Sequence, residues 1–179
     1  DEFVNADRII RLDNGRIVQS ARGNTASIPE MDESGTAQED NPIAKSNIAN
    51  GASKPTSAVP IIEIHNLIYQ YPNSNKPVLD KLSITINEGE TVAIQGITVQ
   101  ATTLARLLCA LEQPQSGSIT VNTIPVARQR ANGNMQSLKR ADREKLRATI
   151  GYVMQHPERQ LFAETVAEDV AYGPRNQRL

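Results

Sequence analysis

The chain has 179 residues, enough for about one domain. Its 19 Lys and Arg residues nearly balance its 20 Asp and Glu residues, so a net charge of −1 provides no overall basic field for nucleic acid or an anionic membrane. One cysteine excludes an internal disulfide, and the absence of a run of roughly 18 apolar residues excludes a predicted membrane-spanning helix.

The first residues predict a β-hairpin. Two short apolar segments, Arg8–Leu12 and Arg16–Val18, flank the turn sequence Asp13-Asn14-Gly15. Asn-Gly is a strong hairpin signal because both central turn positions need a positive φ. A lone hairpin is marginally stable in water, so we expect this one to belong to a domain whose body lies upstream.

Residues 20–60 predict a flexible linker. The segment contains no aromatic residue and is rich in Ala, Ser, Asn, Thr, Gly, Pro and Glu. Such a composition buries too little apolar surface to offset the entropy of ordering. Its acidic residues are interpreted as solvating charges and not as a metal site.

A globular composition begins at Ile61. Ile61–Ile64 predicts an opening strand that continues through Asn66–Tyr71, and the alternating apolar residues of Val78–Ile86 predict a second strand. The turn Glu88-Gly89-Glu90 then leads into a third predicted strand.

The central stretch is Glu90–Leu108. Thr91–Ile94 predicts a buried strand that stops at Gly96, and helical spacing of leucines begins at Thr102. A strand, a glycine-started loop and a helix N-terminus can together bind a phosphate through backbone N–H groups.

This loop departs from the phosphate-loop pattern G-x-x-x-x-G-K-[ST]. Aligned without a gap from Gly96, Thr102 stands in the lysine position, and aligned on the Thr-Thr-Leu run, Ala101 stands there. The lysine normally contacts the β- and γ-phosphates. A weakened phosphate site and an ordinary strand–loop–helix unit therefore both remain open.

Further elements follow the central helix. The sequence predicts a strand at Ser118–Asn122, a charged helix at Gln136–Arg147 and a strand at Thr149–Met154 that ends at Gln155. A last helix is predicted at Thr165–Tyr172, with Thr165 as N-cap and Glu168 completing a capping box.

Taken together, residues 67–179 resemble the first half of an ABC transporter nucleotide-binding domain of the energy-coupling-factor or cobalt-importer type. The segments that carry the resemblance are KPVLDKLSITINEGETVAIQG, TTLARLLCALEQPQSGSITVN and QHPERQLFAETVAEDVAYGP, while ADRIIRLDNGRIV resembles the tail of such a domain. The resemblance implies an α/β fold, a P-loop (RecA-like) core with a small antiparallel β subdomain. It also implies a tail of a preceding domain at 1–19, a linker at 20–60 and the front half of a second domain at 61–179.

The resemblance also implies roles for individual residues. Tyr71 matches the aromatic residue that stacks on adenine, and Gly96 matches the first glycine of the phosphate loop. Thr102 in the gapped alignment, or Thr103 in the ungapped one, matches the hydroxyl that binds Mg²⁺. Gln155 matches the glutamine that senses Mg²⁺ and the attacking water.

The implied cofactors are ATP and Mg²⁺, and the implied partners are a transporter membrane subunit and a second ATP-binding domain, with no nucleic acid. The expected location is the cytoplasmic face of the cell membrane, with the cargo a metal ion or a vitamin. The family's signature loop, acidic metal ligand, catalytic glutamate and switch histidine would follow Leu179, so hydrolysis by this chain alone is not expected. Alternatives are an interaction module that has lost nucleotide binding, or a product without a function of its own.

Overall fold

A computed structural model describes residues 6–22, 59–136 and 138–177. The described strands are β1 (Arg8–Asp13), β2 (Arg16–Arg22), β3 (Pro60–Tyr69), β4 (Leu79–Asn87), β5 (Val92–Gln95), β6 (Ser116–Val121), β7 (Ile124–Gln129) and β8 (Met135–Gln136). The helices are α1 (Thr98–Leu108), α2 (Arg140–Thr149) and α3 (Val166–Gln177), with a 3₁₀ turn at Pro157–Gln160. The predicted linker falls mostly outside the described residues.

The strands form two sheets. One has the order β2-β1-β5, with β1 antiparallel to β2 and parallel to β5. The other has the order β4-β3-β6-β7-β8 and is antiparallel throughout. This arrangement confirms the predicted α/β class with an antiparallel β layer.

The predicted hairpin is confirmed. Asn14 and Gly15 have φ values of 47° and 79°, as a tight two-residue hairpin turn requires. β1 also pairs with β5 from Arg8↔Val92 to Arg11↔Gln95. The hairpin therefore packs against β5, which comes later in the chain than residues 23–58.

In the antiparallel sheet, β3 is one strand where the sequence suggested two joined segments. β4 shows the predicted alternation, with Leu82 and Ile84 buried and their neighbours exposed. β7 was not predicted from the sequence. It follows β6 through Asn122 and Thr123, both at positive φ, a hairpin turn without the usual glycine.

One core joins both sheets to α1 and α2. Its buried apolar side chains are Ile10, Leu12, Ile64, Leu67, Tyr69, Leu79, Leu82, Ile84, Leu104, Leu107, Ile119, Val121, Ile124, Val126, Ala127 and Leu146. Half-buried Cys109 forms the C-cap of α1, and burial raises the pKa of its thiol.

The predicted strand at Thr149–Met154 is wrong. Thr149 is the last residue of α2, and residues 150–154 have no strand pairing, with Val153 76% exposed. A strand needs a hydrogen-bonded neighbour. Among the described residues β5 pairs in parallel with β1, and residues 150–154 join neither sheet. Residues 150–154 therefore follow an irregular path.

The two later helices are confirmed with changed bounds. The charged helix begins at Arg140, because Gln136 belongs to β8 and pairs with Arg128. The last helix continues to Gln177, and Thr165 is its N-cap as predicted, since the Glu168 N–H donates to Thr165 Oγ1 at 3.3 Å. The Thr165 hydroxyl, and not its N–H, donates to Glu168 Oε2 at 3.0 Å, so the return bond of the predicted capping box is replaced by a side-chain contact. No helix in the described ranges combines the length and the apolar character needed to cross a bilayer.

Candidate functional site

The central strand–loop–helix unit is present with a shorter loop than predicted. β5 ends at Gln95, Gly96 follows, and α1 begins at Thr98 and not at Thr102. Residues 97–101 contain no glycine, so nothing favours the left-handed conformations of an open phosphate loop, and the backbone enters the helix early. The sequence predicted a buried strand here, but β5 is only half-buried, because among the described residues it pairs with β1 alone.

The N-terminus of α1 has no side-chain cap, although the Gln100 N–H in its first turn donates to the Ile97 carbonyl oxygen at 2.8 Å. Its N-cap residue, Ile97, offers no side-chain hydrogen bond, and the first turn contains no acidic residue. An uncapped helix N-terminus directs N–H groups and a partial positive charge outward. Beside Gly96, this end of α1 can therefore attract an anion.

The two candidate Mg²⁺ ligands lie in the second turn of α1, in different environments. The Thr103 side chain is fully buried, and its Oγ1 donates to the Val99 carbonyl oxygen at 2.5 Å. Thr102 is half-buried. A hydroxyl that is already buried and hydrogen-bonded is poorly placed to ligate a hydrated cation, so Thr102 is the more accessible of the two candidates.

Tyr71 contacts this helix. Its hydroxyl lies 2.9 Å from Thr103 Oγ1, and its ring meets the Tyr69 ring edge to face at a centroid distance of 5.0 Å. Because Thr103 donates to the backbone, Tyr71 is the donor in the pair. The structure thus brings Tyr71 and the threonines of α1 together at one site.

Gln100 was not predicted as a site residue. Its side chain is only 4% exposed, and its Oε1 has no hydrogen-bond partner among the described residues. A Cβ added to Gly96 would lie 3.0 Å from this oxygen, so the amide packs directly against the loop. The buried positions 100, 103, 104 and 107 follow helical spacing, a signal that places Gln100 on the inner face.

A second polar network connects α1 to β3. The Tyr69 hydroxyl donates to Glu112 Oε2 at 3.0 Å, and Arg106 Nη2 lies 2.8 Å from Glu112 Oε1. Burial, then the hydrogen bond to Glu112, raise the pKa of Tyr69 to about 12. The same carboxylate raises the pKa of Arg106. These contacts fix the strand that leads to Tyr71.

Gln155 lies outside this cluster. It is exposed in a bend after the irregular residues 150–154, and among the described residues it makes no hydrogen bond to the loop or to α1. Large apolar side chains are exposed around and beyond it: Val153, Met154, Leu161, Phe162, Val166, Val170 and Tyr172. Phe162 and Tyr172 pack edge to face at 4.6 Å.

The residues fit Mg-ATP in part. The helix N-terminus and Thr102 suit phosphate and its cation, whereas the lysine is missing and the amide of Gln100 occupies space beside Gly96. Within the described ranges, no three His, Cys, Asp or Glu side chains cluster closely enough to hold a metal on their own.

Residues 79–178 match the ABC transporter family. The chain belongs to that family. A putative ABC transporter ATP-binding protein of Bifidobacterium longum is 41% identical over an alignment that covers all of this chain and 26% of that protein. An energy-coupling factor transporter ATP-binding protein of Clostridium acetobutylicum is 38% identical over 66% of this chain and 39% of its own length.

A solved structure supports the same fold. The chain is similar to cbiO1 of Clostridium perfringens, described as part of an ABC transporter complex, with a TM-score of 0.54 and 30% identity. The alignment covers 68% of this chain and 44% of cbiO1. The first curated relatives are likewise covered over only 26% to 43% of their lengths. The α/β P-loop fold is thereby confirmed.

Proposed function

We propose that this chain is part of the ATP-binding subunit of an energy-coupling-factor-type importer, which couples ATP binding and hydrolysis to uptake of a metal ion or vitamin. The observation that carries the proposal is the unit in which β5 ends at Gln95, Gly96 follows and α1, which has no side-chain cap, begins at Thr98. Relatives named as energy-coupling factor and cobalt import ATP-binding proteins support the importer type.

In this proposal the chain's own residues bind and orient Mg-ATP. The N–H groups at the start of α1 bind phosphate oxygens, the Thr102 hydroxyl ligates Mg²⁺, and the Tyr71 ring stacks on adenine. Gln155, which lies outside this cluster in the structure, would have to move to reach the γ-phosphate side of the site. Bound Mg-ATP supplies the phosphoanhydride whose cleavage drives transport, and a second ATP-binding domain completes the site.

The proposed membrane partner would contact residues 155–172. Leu161, Phe162, Val166 and Val170 are each at least 64% exposed. Exposed apolar side chains in one chain segment are typical of a protein interface. With this contact the protein lies peripherally on the cytoplasmic face of the membrane. The proposed division of the chain is a preceding domain's tail at 1–19, a linker at 20–60 and an ATP-binding domain from 61.

A second function is favoured by the loop itself. With no lysine, a buried Thr103 and the Gln100 amide against Gly96, the domain could dock to its partners without binding nucleotide. In that case it is an interaction module that supports an intact sister domain.

Titration of the full-length protein with a fluorescent ATP analogue separates the two functions. We expect saturable, Mg²⁺-dependent binding that Tyr71→Ala weakens about 5- to 150-fold, since base–aromatic stacking contributes about 1–3 kcal/mol. Tyr71→Phe keeps the ring and retains the affinity. Thr102→Ala reduces the Mg²⁺ dependence, and the matched control Thr149→Ala, at the exposed end of α2, does not. Absence of saturable binding would favour the interaction module.

A further inference from the structure

The antiparallel sheet carries a cavity that the proposed nucleotide site does not use. Its volume is about 640 Å³, and residues of β3, β4, β6 and β7 line it. Small-molecule sites in proteins commonly have volumes of roughly 300–1,000 Å³. Of the described residues that line this cavity, none belongs to the loop at Gly96 or to α1. It is therefore a separate candidate site of small-molecule size.

A row of polar side chains crosses the sheet at this cavity. The register pairs His65 of β3 with Ser118 of β6, and Ser118 with Arg128 of β7. Directly paired residues of an antiparallel sheet lie on the same face, with Cβ atoms about 4.5–5.5 Å apart. Ile119, which follows Ser118, is fully buried on the opposite face. The polar row therefore lies on the face of the sheet that is turned away from the core.

Interruptions in the strand pairing shape the cavity. The pairing of β3 is irregular after Ile64 on the β4 side and after His65 on the β6 side. Gly117 has φ 93°, and a Cβ there would lie 2.6 Å from the His65 carbonyl oxygen. Bulges bend a sheet locally, and a glycine within a strand marks a place where a backbone or a ligand approaches closely. The sheet is consequently concave here and not flat.

Lys81 and Arg128 place two positive charges at the cavity. Both residues are exposed, and within the described part of the chain neither forms an ion pair. Asp142 of α2 lines a smaller neighbouring cavity together with Arg128. None of the described residues that line the larger cavity is an Asp or a Glu, whereas Ser116 and Ser118 add hydroxyl groups to it. The lining is therefore cationic and rich in hydrogen-bond donors.

Lys81 has a backbone conformation that other residue types adopt more easily. Its φ is 51°, in the left-handed region where Gly, Asn and Asp are favoured. A lysine in this conformation lowers stability, and such residues concentrate at functional sites, including ligand clamps. The presence of lysine at this position is therefore better explained by its charged side chain than by its backbone.

The lining matches a phosphate monoester in charge and in hydrogen bonding. Such a group has a charge of about −1.5 to −2 at pH 7, which two cations balance, whereas one carboxylate has a single charge. An arginine can donate to two phosphate oxygens at once, a lysine acts as a point charge, and serine hydroxyls donate to further oxygens. Ile68 is the one large aliphatic residue among the described lining residues, so the cavity favours a hydrophilic ligand.

We propose that this cavity binds a small soluble molecule that carries a phosphate monoester. Lys81 and Arg128 are the cationic ligands of the phosphate, and Ser116 and Ser118 donate hydrogen bonds from their hydroxyls. The site goes beyond the proposed nucleotide function, because its residues take no part in binding Mg-ATP there.

Equilibrium dialysis of the full-length protein with radiolabelled glycerol 3-phosphate tests the site. We expect saturable binding that weakens about tenfold or more in Lys81→Gln and in Arg128→Gln, since hydrogen bonds between charged groups are the stronger class. The matched controls Lys145→Gln and Arg147→Gln, both exposed on α2, retain the affinity. Absence of saturable binding, or equal affinities in all four variants, would overturn the proposal.

Amine labelling locates the probe without a substitution. The full-length protein is acetylated with and without glycerol 3-phosphate, and mass spectrometry gives the labelling rate of each lysine. We expect the probe to slow the labelling of Lys81 severalfold and to leave that of exposed Lys145 unchanged. An unchanged rate at Lys81 would refute the proposal. Retention of the protein on phosphatidic acid vesicles without binding of the soluble probe would also refute it, because the ligand would then be a lipid surface.

Replacement of Lys81 by asparagine separates the backbone from the charge. Asparagine tolerates the φ of 51° better than lysine, so Lys81→Asn should raise the thermal midpoint while weakening probe binding about tenfold. Unchanged affinity in a more stable variant would show that the charge has no part in binding, and the proposal would fail. A protein that does not bind Mg-ATP would leave all these measurements unaffected, so the two proposals fail separately.

Discussion

Replacement of Thr103 by valine distinguishes two roles for its hydroxyl, as a buried helix contact or as a Mg²⁺ ligand. The Oγ1 atom donates to the Val99 carbonyl oxygen at 2.5 Å and accepts from the Tyr71 hydroxyl at 2.9 Å, and the side chain is fully buried. Valine has nearly the same volume and helix propensity, so the substitution removes the hydroxyl with little change in packing.

The expected loss is about 1 kcal/mol of unfolding free energy. One net intramolecular hydrogen bond contributes about 0.5–1.5 kcal/mol, and half-buried Tyr71 can regain a partner from water. The Val99 carbonyl keeps its helical acceptor role. Burial of the extra methyl group offsets part of the loss.

Urea unfolding followed by circular dichroism measures this loss, and the Mg²⁺ dependence of nucleotide binding is titrated in parallel. Thr103→Ser, which retains the hydroxyl, is the matched control for the hydrogen bond to Tyr71. We expect Thr103→Val to lower stability and to leave the Mg²⁺ dependence intact. Unchanged stability with a lost Mg²⁺ dependence would refute this reasoning and assign Thr103 as the metal ligand.

Two further substitutions test the core and the antiparallel sheet. Burial and the hydrogen bond to Glu112 raise the pKa of Tyr69 to about 12, so the folded state favours the neutral phenol. This preference contributes of the order of 2–3 kcal/mol to the free energy of unfolding below pH 10, and the contribution is lost between pH 10 and 12. Tyr69→Phe should therefore flatten the fall in unfolding free energy over that range, and an identical fall would contradict the assignment. Gly117 has φ 93°, and a Cβ there would lie 2.6 Å from the Asn66 carbonyl oxygen. Gly117→Ala should lower the thermal midpoint more than Gly133→Ala, which shares a positive φ but has open space; equal shifts would show that the contact costs nothing.

Local signals in the sequence predicted the hairpin and the alternating strands. Asn14-Gly15 specifies a turn by itself, and the alternation in β4 identifies its buried face without reference to any other strand. β7 lacked such a signal, because its turn uses Asn122 and Thr123 at positive φ in place of a glycine. Asparagine tolerates a positive φ better than most residues, so Asn122 was the one local signal for this turn.

Non-local features could not be predicted in the same way. The parallel pairing of β1 with β5 joins segments more than 80 residues apart, and nothing in either strand specifies its partner. The early start of α1 was missed because a phosphate-loop pattern was extended over residues 97–101, which lack the glycines that keep such a loop open. Tyr71 was singled out from the sequence, but its contact with Thr103 depends on the packing of β3 against α1.

The C-cap of α1 contains the chain's only thiol, which makes it an internal probe of that helix. The thiolate is the form that attacks alkylating reagents, and burial raises the pKa of Cys109 and so favours its protonated form at neutral pH. Modification in the folded protein should therefore be slow until the end of α1 opens. The labelling rate then reports how often that opening occurs, without any engineered label in the protein.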